Sequence, residues 1–125
     1  MTESMRQQRG QMAYHSGVAA ENCIAKDYER RGFEVALKRW RGVAGEVDLI
    51  VRDGAALIFV EVKKARDFAV AAGSLSARQM QRLCRAAEEF LASEPMGNLT
   101  EVRFDVALVD CHGQTQIIEN AFGQG

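Results

Sequence analysis

The sequence predicts an α/β fold, a central mixed β-sheet flanked by two helices, with elements in the order α-β-β-β-α-β-β. Three observations carry this reading. Apolar residues recur at helical spacing over residues 17–31 and again over 76–93, a hairpin pattern lies between them, and two further apolar strands follow the second helix. A helix joining two strands of one sheet is a right-handed crossover that leaves them parallel, whereas the hairpin is antiparallel, so the sheet must be mixed.

Residues 1–12 are polar and read as a mobile tail, leaving residues 13–125 as a single domain. The first helix is expected over residues 17–31, ending at Gly32, which suits a left-handed cap. On a helical wheel Val18, Ala20, Ile24, Ala25 and Tyr28 span one apolar arc, and Glu21 falls inside it beside Tyr28. That inward carboxylate is either part of a site or the partner of a nearby arginine. Residues 33–41 read as a strand with Trp40 anchored in the sheet. The hairpin strands are residues 46–51 and 57–63, with Asp53-Gly54 as the turn. In that register Glu46 faces Glu61, Asp48 faces Phe59, and Asp48 is diagonal to Glu61. Side chains repeat every second residue, so Glu46, Asp48, Glu61 and Lys63 project from one side, with diagonal neighbours about 7–8 Å apart.

Residues 65–75 show no periodicity and are expected to form a mobile loop beside the charged end of the hairpin. Ser76-x-x-Gln79 is a capping box that opens the second helix. Met80, Leu83, Cys84, Ala87 and Leu91 make its buried stripe, and Pro95 marks its end. Strands over 102–109 and 114–119 follow, hinged at His112-Gly113.

With 125 residues, 47% apolar and 26% charged, the chain can build a hydrophobic core without disulfide staples. No apolar run approaches the roughly 20 residues of a membrane span. The first ten residues lack the apolar stretch of a secretory signal, so a cytoplasmic protein is expected. Cys23, Cys84 and Cys111 are odd in number and widely spaced, which argues against a disulfide framework or a zinc ribbon; Cys23 and Cys84 read as small core residues. The net charge of −1 hides a basic run, Arg30, Arg31, Lys38, Arg39 and Arg41, broken only by Glu34. Arg78, Arg82 and Arg85 repeat at i, i+4 and i+7, and Glu88, Glu89 and Glu94 follow. That order opposes the helix dipole. The arginines either meet an external anion or form a solvated face with local Arg85–Glu89 pairing.

The charged end of the hairpin carries the chemistry. Phosphodiester hydrolysis needs a positioned water, neutralisation of phosphate charge and help for the leaving oxygen, and one divalent cation can supply all three. Mg²⁺ or Mn²⁺ suits oxygen ligands from one or two carboxylates, which Asp48 and Glu61 offer. Lys63, two residues beyond Glu61 on the same face, can orient the water. Glu21 can complete the outer shell. Glu46, Gln79, Lys64, Arg78 and Arg82 are candidates for supporting or phosphate-contacting positions. The simpler alternative is a surface hairpin bearing an ordinary ion pair, but an exposed strand should alternate and Leu57-Ile-Phe-Val60 does not.

These residues resemble the PD-(D/E)xK nuclease superfamily, and more narrowly the bacterial YraN-like proteins, which look related to archaeal Holliday junction resolvases. The resemblance rests on Gly17-x-x-x-Glu21, Gly45-Glu-Val-Asp-Leu-Ile50, Phe59-Val-Glu-Val-Lys63 and Arg103-Phe-Asp-Val106. It implies a restriction-endonuclease-like fold, with Asp48, Glu61 and Lys63 in the catalytic motif and Glu21 as the first-helix acid. Two positions differ: such proteins usually carry Thr after the motif lysine and Lys at the start of the second helix, where this chain has Lys64 and Gln79. The expectation is therefore an Mg²⁺- or Mn²⁺-dependent hydrolase of DNA, branched or single-stranded, of the kind used in DNA repair or recombination. Resolvase-like action on a four-way junction implies a symmetric homodimer. The alternatives are a catalytically silent nucleic-acid-binding or adaptor module on the same fold, and a protein-interaction domain.

Overall fold

The computed structural model describes the backbone of residues 3–64 and 76–121, and side chains from residue 17 onward. The expected loop at 65–75 lies outside the described residues. The order is α1 (Glu3–Arg30), β1 (Glu34–Arg41), β2 (Glu46–Asp53), β3 (Ala56–Lys64), α2 (Ala77–Leu91), a 3₁₀ turn (Gly97–Leu99), β4 (Val102–Val109) and β5 (Thr115–Ile118). The five strands form one sheet in sequence order. Only β3 and β4 are parallel, as the α2 crossover requires. This is the mixed sheet with two helices expected from the sequence.

Helix α1 starts well upstream of Gly17. Residues 3–16 contain no proline and are rich in Gln, Arg and Met, good helix formers that extend the helix without an apolar stripe to announce it. Its buried face, Ala20, Ile24, Ala25 and Tyr28, packs on Leu49, Val51, Ile58, Val60, Ala107 and Val109. Helix α2 covers the opposite face, with Leu83, Ala86, Ala87, Phe90 and Leu91 against Val47, Ile50, Leu57 and Phe59. Two layers of helix thus bury β2 and β3 on both sides, which is why those strands read as near-continuous apolar runs. Trp40 meets Phe90 edge-on, with ring centroids 5.4 Å apart, and so anchors β1 to α2.

The hairpin turn is Gly54-Ala55, one residue beyond the expected Asp53-Gly54. Asp53 pairs with Ala56, and Gly54 sits at φ +61°, the left-handed geometry demanded at the first position of a tight II′ turn. Pairing shifts by two positions, so Glu46 no longer faces Glu61. Because the shift is even, the residues paired along the ladder keep their faces. The β2–β3 ladder ends at Leu49↔Val60, which leaves Asp48 and Glu61 as the next residues beyond it.

Three polar devices fix α2 and the strand ends. Ser76 Oγ accepts from the Gln79 N–H at 3.1 Å while Gln79 Oε1 accepts from the Ser76 N–H at 2.8 Å, completing the expected capping box. At the other end of α2, Glu94 is held by the Arg52 fork at 2.8 and 3.3 Å. In the β4–β5 turn, Asp110 Oδ1 accepts from the His112 and Gln114 amides, with Gly113 at φ +80°. Cys23 and Cys84 are half-buried and Cys111 is exposed, all three as free thiols.

Glu89 explains one of the acids on α2. It does not pair with Arg85; its carboxylate accepts from the Val43 and Ala44 amides at 2.9 and 3.2 Å and so ties the β1–β2 loop to the helix. Gly42 leaves room for that contact, since a β-carbon there would collide with the Glu89 carboxylate and the Trp40 ring. Neither neighbour is free to withdraw. Gly42→Ala is accordingly expected to cost about 1–3 kcal/mol through overpacking, read as a lowered midpoint in chemical denaturation.

Candidate functional site

The site is assembled where the regular ladders stop. Strand β2 alternates correctly through Leu49, Ile50 and Val51, yet Val47 packs with α2 although Leu49, two residues away, packs with α1. The alternation breaks at Asp48. Strand β1 breaks at the same level: Lys38 pairs with Leu49 and Trp40 with Val47, and Arg39 between them lies at φ +53°. A non-glycine residue in that region costs on the order of 1 kcal/mol and persists only where the surroundings impose it. The surroundings here include Glu21. Arg39 Nε donates to its two carboxylate oxygens at 2.7 and 3.0 Å, and Glu21 is buried. Arg39 Nη2 also lies against Gly17, one helical turn before Glu21, 3.5 Å from where a β-carbon would stand. The Gly17-x-x-x-Glu21 spacing is thus the seat of one arginine.

Beside this kink, Asp48 and Glu61 face the α2 side. Beyond the end of the β2–β3 ladder, the Val62 N–H donates to Asp48 Oδ2 at 2.8 Å, so the carboxylate is fixed by backbone and aimed at its neighbour. Burial, opposed by that amide and reinforced by the charges of Glu21 and Glu46, pushes the Asp48 carboxyl up to about 6. Burial and then the facing Asp48 charge push Glu61 up to about 7, against the pull of Lys63. Lys63 Nζ lies 3.7 Å from Glu61 Oε1, and both side chains are about one-fifth exposed.

These groups border a cleft of about 200 Å³ lined by Glu46, Asp48, Glu61, Gln79, Arg82 and Leu83. Two carboxylates held together without enough positive charge to satisfy them fit a hard divalent cation, which prefers such oxygens and completes its shell with water or phosphate. Among the described residues no third His, Cys, Asp or Glu joins them as a ligand set. Glu46 is exposed and turned to Arg41 at 3.4 Å, and Glu21 is occupied by Arg39. Of the positions expected from the sequence, the structure therefore brings Asp48, Glu61 and Lys63 together and places Gln79 and Arg82 on the wall of the cleft. Lys64 is exposed at the end of β3, and Arg78 lies on the outer surface of α2. Arg39 was missed by sequence reasoning, and the only hint was its place inside a basic run facing an inward Glu21.

The Arg103-Phe-Asp-Val106 segment serves a different purpose. Asp105 is fully buried and accepts four hydrogen bonds: from Tyr28 Oη at 2.7 Å, from Arg103 at 2.9 and 2.9 Å, and from the Asn120 amide at 3.0 Å. It joins α1, β4 and the segment after β5. Burial, then the Asp105 charge and hydrogen bond, hold the Tyr28 hydroxyl far above its ordinary pKa.

No helix among the described residues is long and apolar enough to cross a membrane. The chain matches the model of the uncharacterised protein family UPF0102 over residues 20–109, a span that runs from the start of the buried face of α1 to the end of β4. It is 60% identical over 117 residues to a UPF0102 protein of Ruegeria pomeroyi, covering 94% of this chain and 95% of that one. A UPF0102 protein of Cereibacter sphaeroides is 58% identical over 113 residues, covering 90% and 97% of the two chains. A third, from Ruegeria sp. strain TM1040, is 46% identical over 125 residues and aligns along the whole of both. The chain belongs to the UPF0102 family.

Proposed function

We propose that this chain is a metal-dependent nuclease that hydrolyses phosphodiester bonds in DNA, with Asp48 and Glu61 as the ligands of Mg²⁺ or Mn²⁺. The observation that carries the reading is the pair itself: two adjoining carboxyls raised to about 6 and about 7, with a lysine 3.7 Å from one of them, at the rim of an open cleft. Perturbed acids that serve no evident structural purpose cluster at functional sites. The element order and the Asp, Glu-x-Lys placement agree with the PD-(D/E)xK resemblance.

A bound divalent cation would neutralise phosphate charge and lower the pKa of a water. The chain's own residues do the rest. The Val62 amide and the end of the β2–β3 ladder hold Asp48 in place, so no reorganisation is needed when charge arrives. Lys63, drawn toward Glu61, presents its ammonium to a water or to the phosphate. The Glu21–Arg39 pair keeps β1 and β2 kinked at the level of Asp48. Branched or single-stranded DNA as substrate, and a homodimer acting on a junction, belong to the same proposal.

Calorimetric titration with Mn²⁺ tests it. Wild type is expected to bind at millimolar metal or below and Asp48→Ala to lose binding, while Lys63→Ala binds metal and loses turnover. Failure of the wild type to bind Mn²⁺ would remove the enzyme reading. The second reading, a silent nucleic-acid-binding module, is favoured by the commitment of Glu21 to Arg39 and by the absence of a third ligand among the described residues. It predicts DNA binding in chelator that neither substitution changes, and no cleavage with metal.

A further inference from the structure

Helix α2 carries its charges against its own dipole, and the structure accounts for only one half of them. Glu89 and Glu94 at the C-terminal end hold the β1–β2 loop and Arg52. Arg78, Arg82 and Arg85, from the first turn to just past the middle of the helix, are exposed, and among the described residues no carboxylate pairs with any of them. Arg78 in the first turn opposes the helix dipole, and Arg82 and Arg85 add like charge on the same face, so the stripe is unfavourable unless an anion meets it. They flank a cleft of about 350 Å³ that Ala44 and Gln81 complete. Arg82 lines this cleft and the carboxylate cleft alike. Its stem is also seated, because a β-carbon on Gly45 would lie 2.9 Å from Arg82 Cγ, so the glycine is what lets the arginine lie across the loop.

We propose that Arg78, Arg82 and Arg85 form a phosphate track that holds one strand of a nucleic acid along α2 and leads it past Arg82 to the carboxylate cleft. Seven residues of helix advance about 10 Å, the length of about three nucleotides of one strand at 3.4 Å each. Guanidinium forks match phosphate oxygens in geometry as well as charge. The direction of the track rests on the nuclease reading, but its grip on the backbone does not.

Fluorescence anisotropy of labelled duplex and single-stranded oligonucleotides, in EDTA over a salt series, separates the two. Wild type is expected to bind with a log–log salt slope that Arg85→Gln reduces by about 0.9 on duplex, or about 0.7 on a single strand. Arg85 does not line the carboxylate cleft, so this loss cannot come from damage to that site. The triple variant with Arg78→Gln, Arg82→Gln and Arg85→Gln should lose roughly two to three units of slope on duplex and weaken binding at least about tenfold at low salt. Lys26→Gln, on the exposed side of α1, is expected to change neither. All four substitutions are on exposed residues, and unchanged melting temperatures verify folding. A triple variant with wild-type affinity and slope overturns the track, as does a wild type that binds no oligonucleotide at low salt. Loss of binding in the triple variant alongside a wild type that holds no Mn²⁺ sustains the track and sinks the nuclease instead.

Discussion

Asp105→Ala is expected to destabilise the fold by about 3–5 kcal/mol, the range found when one partner of a buried charged pair is removed. The carboxylate satisfies four donors at once; Arg103 has a second carboxylate nearby, Glu119 at 3.8 Å, while the Tyr28 hydroxyl and the Asn120 amide have no evident substitute among the described residues. Its loss leaves the Tyr28 hydroxyl with no acceptor inside the core, releases the Arg103 guanidinium from β4 and strands the Asn120 amide. For a domain of this size that loss lowers the melting temperature by roughly 10–20 °C. Tyr28→Phe removes one donor and leaves the other three bonds intact, so its cost should be about 1–2 kcal/mol. The ordering of these two variants is the sharp part of the prediction. If thermal melting shows Asp105→Ala no worse than Tyr28→Phe, then the carboxylate is not the joint between α1, β4 and the segment after β5.

Asp105 also shows what a sequence discloses and what it withholds. A lone Asp in the apolar strand Val102–Val109 must be paired, because an isolated buried carboxylate is far too costly. An inward Tyr28 likewise needs an acceptor for its hydroxyl. Both requirements are visible in the chain, but nothing in it says that they satisfy each other across 77 residues. Local signals fared better. The Ser76–Gln79 box and the positive-φ glycines at 32 and 113 are decided within a few residues and appear where the sequence places them, and the buried face of α2 keeps Leu83, Ala87 and Leu91 of its expected stripe. The hairpin register was only partly legible, since Asp53-Gly54 and Gly54-Ala55 both put a glycine where positive φ is needed. The even shift between them preserved the faces of the paired residues, and the grouping of Asp48, Glu61 and Lys63 survived. The kink at Arg39 could not be read at all. It accompanies a long-range contact with Glu21, and of the two roles open to that carboxylate in the sequence, an outer-shell acid or the partner of a nearby arginine, the structure shows the arginine pairing.

The carboxylate pair itself should behave as a site whose stability is sacrificed to charge, and Asp48→Asn exposes this with effects of opposite sign. Both folded carboxyls titrate above their ordinary values of 3.8 and 4.5, near 6 and 7. The folded state therefore holds more protons than the unfolded chain between about pH 4 and 7, and its stability falls as pH rises through that window. Above pH 7 the penalty is complete. A rise of this size at one carboxyl corresponds to roughly 3 kcal/mol. Glu61 is one-fifth exposed, so solvent screens part of it, and removing one charge is expected to restore about 2 kcal/mol at pH 8 in EDTA. Asparagine keeps the shape and still accepts from the Val62 amide, so no hydrogen bond is lost. Asp48→Asn should then melt above the wild type at pH 8 without metal, with the advantage vanishing by pH 4. Mn²⁺ supplies the missing positive charge to the wild type alone, so it should raise the wild-type melting temperature and leave the variant unmoved. On the proposed function, the same variant loses DNA cleavage by on the order of 10³-fold, because it lacks the charge that holds the metal. A variant that is less stable than wild type at pH 8 in EDTA would show that the paired charges are already compensated within the protein, and the physical case for a cation between them would fall with it.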